Sequence, residues 1–319
     1  MRNILAFVAI ALAATAFPAT AQKYPVAPVK VIVPMAPGGG TDIMGRELAK
    51  GLAENIGQAF VIENRAGGNA TIGAAAAAKS KADGYTLLIV SGGPFVVNQF
   101  SMKSLPYDTV TDFAPISQFA SMPMVLVVAP GFPADSPAAL VSYLRAHPTE
   151  VNYAATDEMS HLGMVMIAEG TKTQLTAIQY KGGGPALVDL LGGHVQVMLA
   201  SLGAALPYLN DGKLRALAVT GKTRAPALPQ VPTVAETILP GYELTAWFGV
   251  FAPASTPKEL VAYLNDEINK AVRTPQMQQL FATFGASPVE MSPTDFASFV
   301  KSERDRLGKA FLASGASAQ

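Results

Sequence analysis

From Val29 onwards, short apolar runs alternate with segments of helical periodicity, and this alternation restricts the possible folds more than any other feature. "VKVIV" reads as a strand, 41–56 as a helix, "AFVIEN" as a strand and "TIGAAAAAKSK" as a helix. "DGYTLLIVS" reads as a turn and a strand, with Asp83-Gly84 marking the turn. After "LPYDTVTDFAPIS" the pattern restarts with the strand "MVLVVAP", a helix over 136–145, the strand "VNYAA", a helix over 161–169 and the strand "LTAIQY". A helix over 185–191, the strand "VQVMLAS", a helix over 204–210 and the strand "LRALAVT" complete this second unit. Such alternation predicts an α/β fold with a largely parallel sheet.

A weak internal echo adds a topology. "VVAPGFPADSPAALVSYLR" resembles "GVFAPASTPKELVAYLN", each an apolar strand, a proline-containing turn and an amphipathic helix. A shared α/β turn idiom would also produce it. Read as two strands that cross between domains, it returns the C-terminal helices, 258–272, 276–284 and 294–312, to the first domain. The expected domains are then 22–122 with 245–319, and 123–244.

The first residues, "MRNILAFVAIALAATAFPATAQ", place Arg2 before an apolar run that ends at Pro18, followed by "ATA". That layout is expected for a secretory signal peptide over 1–21, cleaved after Ala21. The run is shorter than the roughly 20 apolar residues of a membrane span, and no later stretch is long and apolar enough to make one. The chain has no cysteine, so burial alone must hold it together, and it is long enough for two domains. A cysteine-free exported chain fits the bacterial periplasm. Lysine plus arginine and aspartate plus glutamate each number 23, with no basic stripe of the kind a nucleic-acid surface needs.

Glycine-rich loops follow several strands. "PMAPGGGTD" sets Gly38, Gly39 and Gly40 before the first helix, where Thr41 or Asp42 is expected to cap. The orphan amides and positive dipole end of such a helix make an anion site, although a tight turn without a ligand gives the same pattern. No Gly-Lys-Ser/Thr follows and the Gly-x-Gly-x-x-Gly spacing is not met, which excludes a Walker loop and a dinucleotide fingerprint. The device recurs at Gly67-Gly68, at Ser91-Gly92-Gly93 and at Gly182-Gly183-Gly184, which precede Pro185. Four such loops suggest a cleft at the strands' carboxyl ends, where open α/β sheets bind ligands.

Catalytic constellations are scarce. No Gly-x-Ser-x-Gly elbow, His-Glu-x-x-His motif or cysteine pair occurs. Ser160 and His161 are adjacent, and adjacent residues on a helix point apart. Three histidines offer little material for a metal site: His147 is expected to close a helix, His194 to be exposed, and His161 to lie at a helix N-terminus beside the cleft. Trp247 is expected in the core. No cofactor is expected.

Taken together, "YPVAPVKVIVPMAPGGGTDIMGRELAKGL", "GQAFVIENRAGGNATIGA", "LPYDTVTDFAPIS", "YKGGGPALVDLLGGHVQVM", "GKLRALAVTG" and "AWFGVFAPASTPKELVAYLN" resemble the solute-binding proteins of tripartite tricarboxylate transporters, the Bug-type receptors. The resemblance spans essentially the whole chain after the leader. It implies a two-domain Venus-flytrap fold of the periplasmic-binding-protein type, closing on a small carboxylated solute and delivering it to a separate membrane permease. One carboxylate would be held by first-domain loops, which map onto Ala36, Pro37, Gly38, Gly39 and Asp42, with Asn69, Ser91 and Gly92 beside them. The second domain would contribute Thr156, Ser160, His161, Tyr180, Gly182, Gly183, Gly184 and Ser201. The chain departs from the family at "ATDEMSHL", at Pro94-Phe95 and at Ala200. Phe95 and Ala200 suggest a less polar distal end, while Asp157 and Glu158 would repel a second carboxylate or accept from an amine. A monomer is expected. The rival readings are an exported hydrolase or isomerase using the same cleft, for which the sequence offers no nucleophile–base pair, and a ligand sensor serving a signalling partner.

Overall fold

A computed structural model describes residues 24–313 apart from 157 and 181. The expected leader and Asp157 lie outside the described residues. The described residues build one ten-stranded sheet, in the order β2-β1-β3-β9-β4-β7-β5-β6, with β8 and the short β10 (Ser287–Pro288) also paired to β4. β1 (Val29–Val33), β2 (Phe60–Asn64) and β3 (Thr86–Ser91) run parallel, as do β5 (Asn152–Ala155), β6 (Thr176–Gln179) and β7 (Val197–Ser201). Between these triplets lie β4 (Phe113–Val128) and β9 (Thr245–Pro253), antiparallel to each other and to their other neighbours. The sheet is therefore mixed at its centre, not largely parallel as expected.

β4 is the longest strand and is far longer than "MVLVVAP". Residues 113–123 pair with β9, whereas 124–128 pair with β7 and β8 (Arg215–Val219). Pro115 and Pro123 hid its first half, because proline lacks the ladder N–H and breaks a strand pattern; bulges accommodate the irregular part. At the change of partner, the buried Thr220 hydroxyl accepts from Met124 N–H at 2.8 Å and donates to Met124 O at 3.1 Å, while Leu244 N–H donates to Thr220 O at 2.9 Å. The two passages of the chain between sheet halves are stitched together there.

Helices cover both faces. α1 (Gly40–Ile56) buries the stripe Met44, Leu48, Leu52 and ends at left-handed Gly57. α2 (Thr71–Ala78) and α3 (Gly92–Ser101) follow β2 and β3. α4 (Pro137–Ala146) starts on a Ser136 cap, whose side chain accepts from Ala139 N–H at 3.2 Å. α5 (Glu158–Thr171), α6 (Gly183–Leu191) and α7 (Leu202–Asn210) belong to the second half, and α8 (Val234–Thr237) is one capping-box turn. α9 (Lys258–Val272), α10 (Pro275–Phe284) and α11 (Pro293–Ala313) form the C-terminal part. α9 packs on α1; α10 also touches α7, and α11 also touches α5, so these two lean on the second half as well. One core cluster, holding Phe95, Trp247, Phe296, Leu126, Leu162 and Leu244, runs through both halves. Separate clusters fill the opposite faces, around Leu48 and Ile268 in one half and Leu190 and Val219 in the other.

Candidate functional site

The loop after β1 presents Ala36 to Gly40 to solvent. Gly39 is the N-cap of α1 and no side chain caps that helix, so neither Thr41 nor Asp42 plays the expected part. Asp42 is instead buried beneath the loop. Its Oδ2 accepts from Gly38 N–H at 2.8 Å and Arg46 Nε at 2.9 Å, and its Oδ1 accepts from Asn64 Nδ2 at 2.8 Å. Asn64 also donates to Met35 O at 3.1 Å and accepts from Arg46 Nη2 at 2.9 Å. Asp42 therefore braces the loop from behind, and its carboxylate is already engaged by these three donors. The reading of the sequence missed Arg46 and Asn64, although an Asp and an Arg four residues apart on a helix are a legible pair.

Burial alone would raise the Asp42 carboxyl, but hydrogen bonds from Arg46, Gly38 and Asn64 outweigh it and hold it at about 2. The unfolded carboxyl titrates near 3.9. Because the folded value is the lower one, its contribution to stability is complete above about pH 4 and disappears as pH falls through about 2. Thermal melts across that window are expected to fall less steeply for Asp42→Asn than for the parent.

Glycine in this loop answers to different causes at successive positions. Gly38 has φ +82°, which disfavours a side chain. Gly39 has φ −76°, and a methyl there would meet only Ala36 O at 3.6 Å. Around Gly40 nothing lies within 4 Å. Neither packing nor backbone strain calls for glycine at 39 or 40, which leaves the first amides of α1 open to approach.

Asn69 sits exposed at φ +50° in the loop between β2 and α2. Its Nδ2 donates to Asn98 Oδ1 at 2.9 Å, and the buried Asn98 Nδ2 donates back to Asn69 O at 2.7 Å. Ser91 is the half-buried N-cap of α3. Phe95 does not have the expected role, and packing alone accounts for the glycine at 92. Gly92 is buried flat against the Trp247 indole, where a methyl would lie 1.8 Å from Cε2, so its identity follows from packing. Phe95 is 1% exposed and packs on Tyr107, Phe113 and Phe251, inside the core and away from any cleft. The glycine pair 92–93 opens a helix, not a loop.

In the second half, Gly182 (φ +109°) is the N-cap of α6; nothing lies within 4 Å of Gly184, and Gly183 would meet only Met198 Cε at 4.0 Å. This loop thus repeats the open character of 39–40. The Tyr180 hydroxyl donates to Asp189 Oδ2 at 2.7 Å, tying the loop to α6; burial and that carboxylate push the phenol up to about 12. Ser201 is exposed at the N-cap of α7. Ala200 points into the core, fully buried opposite Val125, and shapes no ligand end. Thr156 N–H and Oγ1 both donate to Ser160 Oγ, at 3.0 and 3.1 Å, and Ser160 is fully buried. His161 is half-buried, its Nδ1 2.7 Å from the Tyr153 hydroxyl and its ring stacked on that phenol. Burial lowers its pKa, keeping the imidazole neutral near pH 7. Ser160 and His161 serve different partners and form no couple. His147 closes α4 against Tyr143, and His194 is exposed, both as expected. Glu158 begins α5.

Among the described residues no group of three or more His, Asp or Glu could hold a metal, and no helix is long and apolar enough to cross a membrane. Two surface grooves lie apart from these loops. One, of about 770 Å³, runs between α5 and α11 past Glu169, Lys301 and Arg306; the other, of about 350 Å³, lies beside Tyr153 and Leu175.

Residues 44–315 match the model of the tripartite tricarboxylate transporter family receptor, TctC. Protein BugT of Bordetella pertussis is 39% identical over 321 residues, covering 99% of this chain and 98% of BugT. The solved structure of R. palustris Rpa4515 with adipate is 36% identical, with a TM-score of 0.76, over 93% of this chain and 100% of that one. MatC (Rpa3494) from Rhodopseudomonas palustris with bound malate is 31% identical, with a TM-score of 0.71, over 90% and 99%. The protein, with its mixed α/β fold and paired open glycine loops, belongs to the tripartite tricarboxylate transporter receptor family.

Proposed function

We propose that the protein is a periplasmic solute receptor, not an enzyme, that captures a small carboxylated organic acid and hands it to a membrane permease of the tripartite tricarboxylate type. Its two lobes are 22–122 with 245–319, and 123–244, and they close on the ligand. The observation that carries this reading is the pair of helix N-termini at α1 and α6, each preceded by glycines that packing does not require. A partly buried helix-terminus contact with an anion contributes up to about 2 kcal/mol, and each hydrogen bond to a charged group about 1.5–3 kcal/mol. A few of these, less the cost of association, reach the roughly 8 kcal/mol of a micromolar binder without an arginine clamp. Ala36, Pro37, Gly39 and Gly40 would hold one carboxylate, directly or through water, on a loop stiffened by Asp42. Thr156, Gly183, Gly184 and Ser201 would face the rest of the acid. Relatives solved with adipate and with malate, both carboxylates, support the ligand class.

A panel of mono- and dicarboxylates at millimolar concentration is expected to raise the melting temperature. A ligand at a hundredfold excess over Kd adds about 2.7 kcal/mol of stability, or several degrees at roughly 2–4 °C per kcal/mol. A broad panel without any shift would count decisively against a carboxylate receptor.

A further inference from the structure

One contact crosses between the sheet halves at the carboxyl ends of their strands. Gly93, buried in the first turn of α3, lies against Met159 in the first turn of α5; a methyl on Gly93 would fall 2.8 Å from Met159 Cγ and 3.2 Å from Sδ. α3 packs on α11 and β9, whereas α5 packs on β5 and β7. The start of α5 is held firmly. The buried Ser160, next in sequence, accepts from the Thr156 backbone and hydroxyl. One turn on, Gly163 lies against Leu244 and Leu199, and its carbonyl accepts from the buried Tyr242 hydroxyl at 3.2 Å. Met159 itself is half-buried: its side chain lies against Gly93 of α3, and the residue keeps part of its surface exposed. Methionine is apolar, polarisable and adaptable, suited to a surface that must make and break contact.

We propose that Met159 is the residue through which the second half closes onto the first, and that its thioether walls the α3 side of the cleft. Resting on the receptor reading above, this assigns the ligand class more narrowly. The acid carries methylene groups on that side, because a hydroxyl placed against a thioether and a glycine backbone would lose its water without gaining a partner.

Two measurements test it. The chain has no cysteine, so Gly93→Cys/Met159→Cys creates the sole thiol pair. A methyl-position atom 2.8 Å from Met159 Cγ is compatible with the roughly 3.5–4.5 Å Cβ separation of a disulfide. Mild oxidation is expected to join the pair quantitatively within the monomer. Calorimetry is then expected to give the parent a preference for adipate over malate, and Met159→Gln is expected to shift the affinity ratio towards malate about tenfold, roughly the discrimination one buried polar group supplies. Absence of the disulfide overturns the proposal even where carboxylates stabilise the parent. An unchanged ratio in Met159→Gln overturns it as well. A disulfide that forms in a protein that binds neither these acids nor any other carboxylate overturns the receptor reading and the selectivity that rests on it, and leaves the contact standing.

Discussion

Gly39→Phe is expected to abolish carboxylate binding while leaving the free protein folded. Gly39 is exposed, its φ of −76° suits any residue, and the first atom of a side chain would meet only Ala36 O at 3.6 Å. A poorer N-cap costs the helix up to about 1 kcal/mol, a minor change in melting temperature. The ring would occupy the space from which a ligand approaches the first amides of α1. Losing two hydrogen bonds to a charged group, each about 1.5–3 kcal/mol, weakens binding by about a hundredfold or more. Calorimetry on the variant, alongside its melt, checks both halves of this expectation. A variant that binds as tightly as the parent removes the loop from the site.

Gly92→Ala is expected to do the reverse, destabilising the fold through a single methyl. That methyl would lie 1.8 Å from Trp247 Cε2 and 2.3 Å from both Cδ2 and Nε1. The indole has nowhere to retreat: it is 1% exposed and meets Phe296 and Phe299 edge-on, with centroids 5.6 Å away in each case. Overpacking of this kind costs typically about 1–3 kcal/mol and occasionally more, and the severity of the overlap places Gly92→Ala at the upper end. Trp247 is the chain's one tryptophan, so denaturant unfolding followed by its fluorescence reads the loss directly. At roughly 2–4 °C per kcal/mol the melting temperature is expected to fall by about 6–12 °C. An unchanged midpoint would mean that Gly92 does not rest on the indole.

The contrast between these glycines shows where the sequence was legible and where it was not. The alternation of strands and helices announced an α/β fold, and α9 runs over 258–272 as its apolar spacing predicts. The strand-then-helix pattern after "VVAP" and "GVFAP" also reappears, as β4 to α4 and β9 to α9. What local patterns could not convey was pairing at a distance. β4 looks broken at Pro115 and Pro123, yet β9 supports it along 113–123. Gly92-Gly93-Pro94 looks like a loop because its helix forms over a tryptophan some 150 positions away, a contact invisible in a local pattern.

The candidate site follows the same division. Loops 36–40 and 182–184 were legible as glycine runs before helices, and the structure leaves Gly39, Gly40 and Gly184 uncrowded. The roles of individual side chains were less so. Asp42 resembles a cap or ligand group, but three donors draw its carboxylate behind the loop. Phe95 and Ala200 suggested an apolar ligand end, but their directions on α3 and β7 send both into the core. The apolar wall assigned above comes from Met159, which no motif singled out.

The central claim is that the glycine loop at the start of α1 holds a carboxylate. It is tested most directly by titrating ligand-stripped protein, refolded from denaturant, with adipate, malate and a panel of other carboxylates in a calorimeter, parent and Gly39→Phe side by side. The account predicts saturable one-to-one binding of at least one carboxylate to the parent, with a Kd of about micromolar order, and no binding heat from the variant. Equal binding by both proteins, or heat from neither at millimolar ligand, would contradict it.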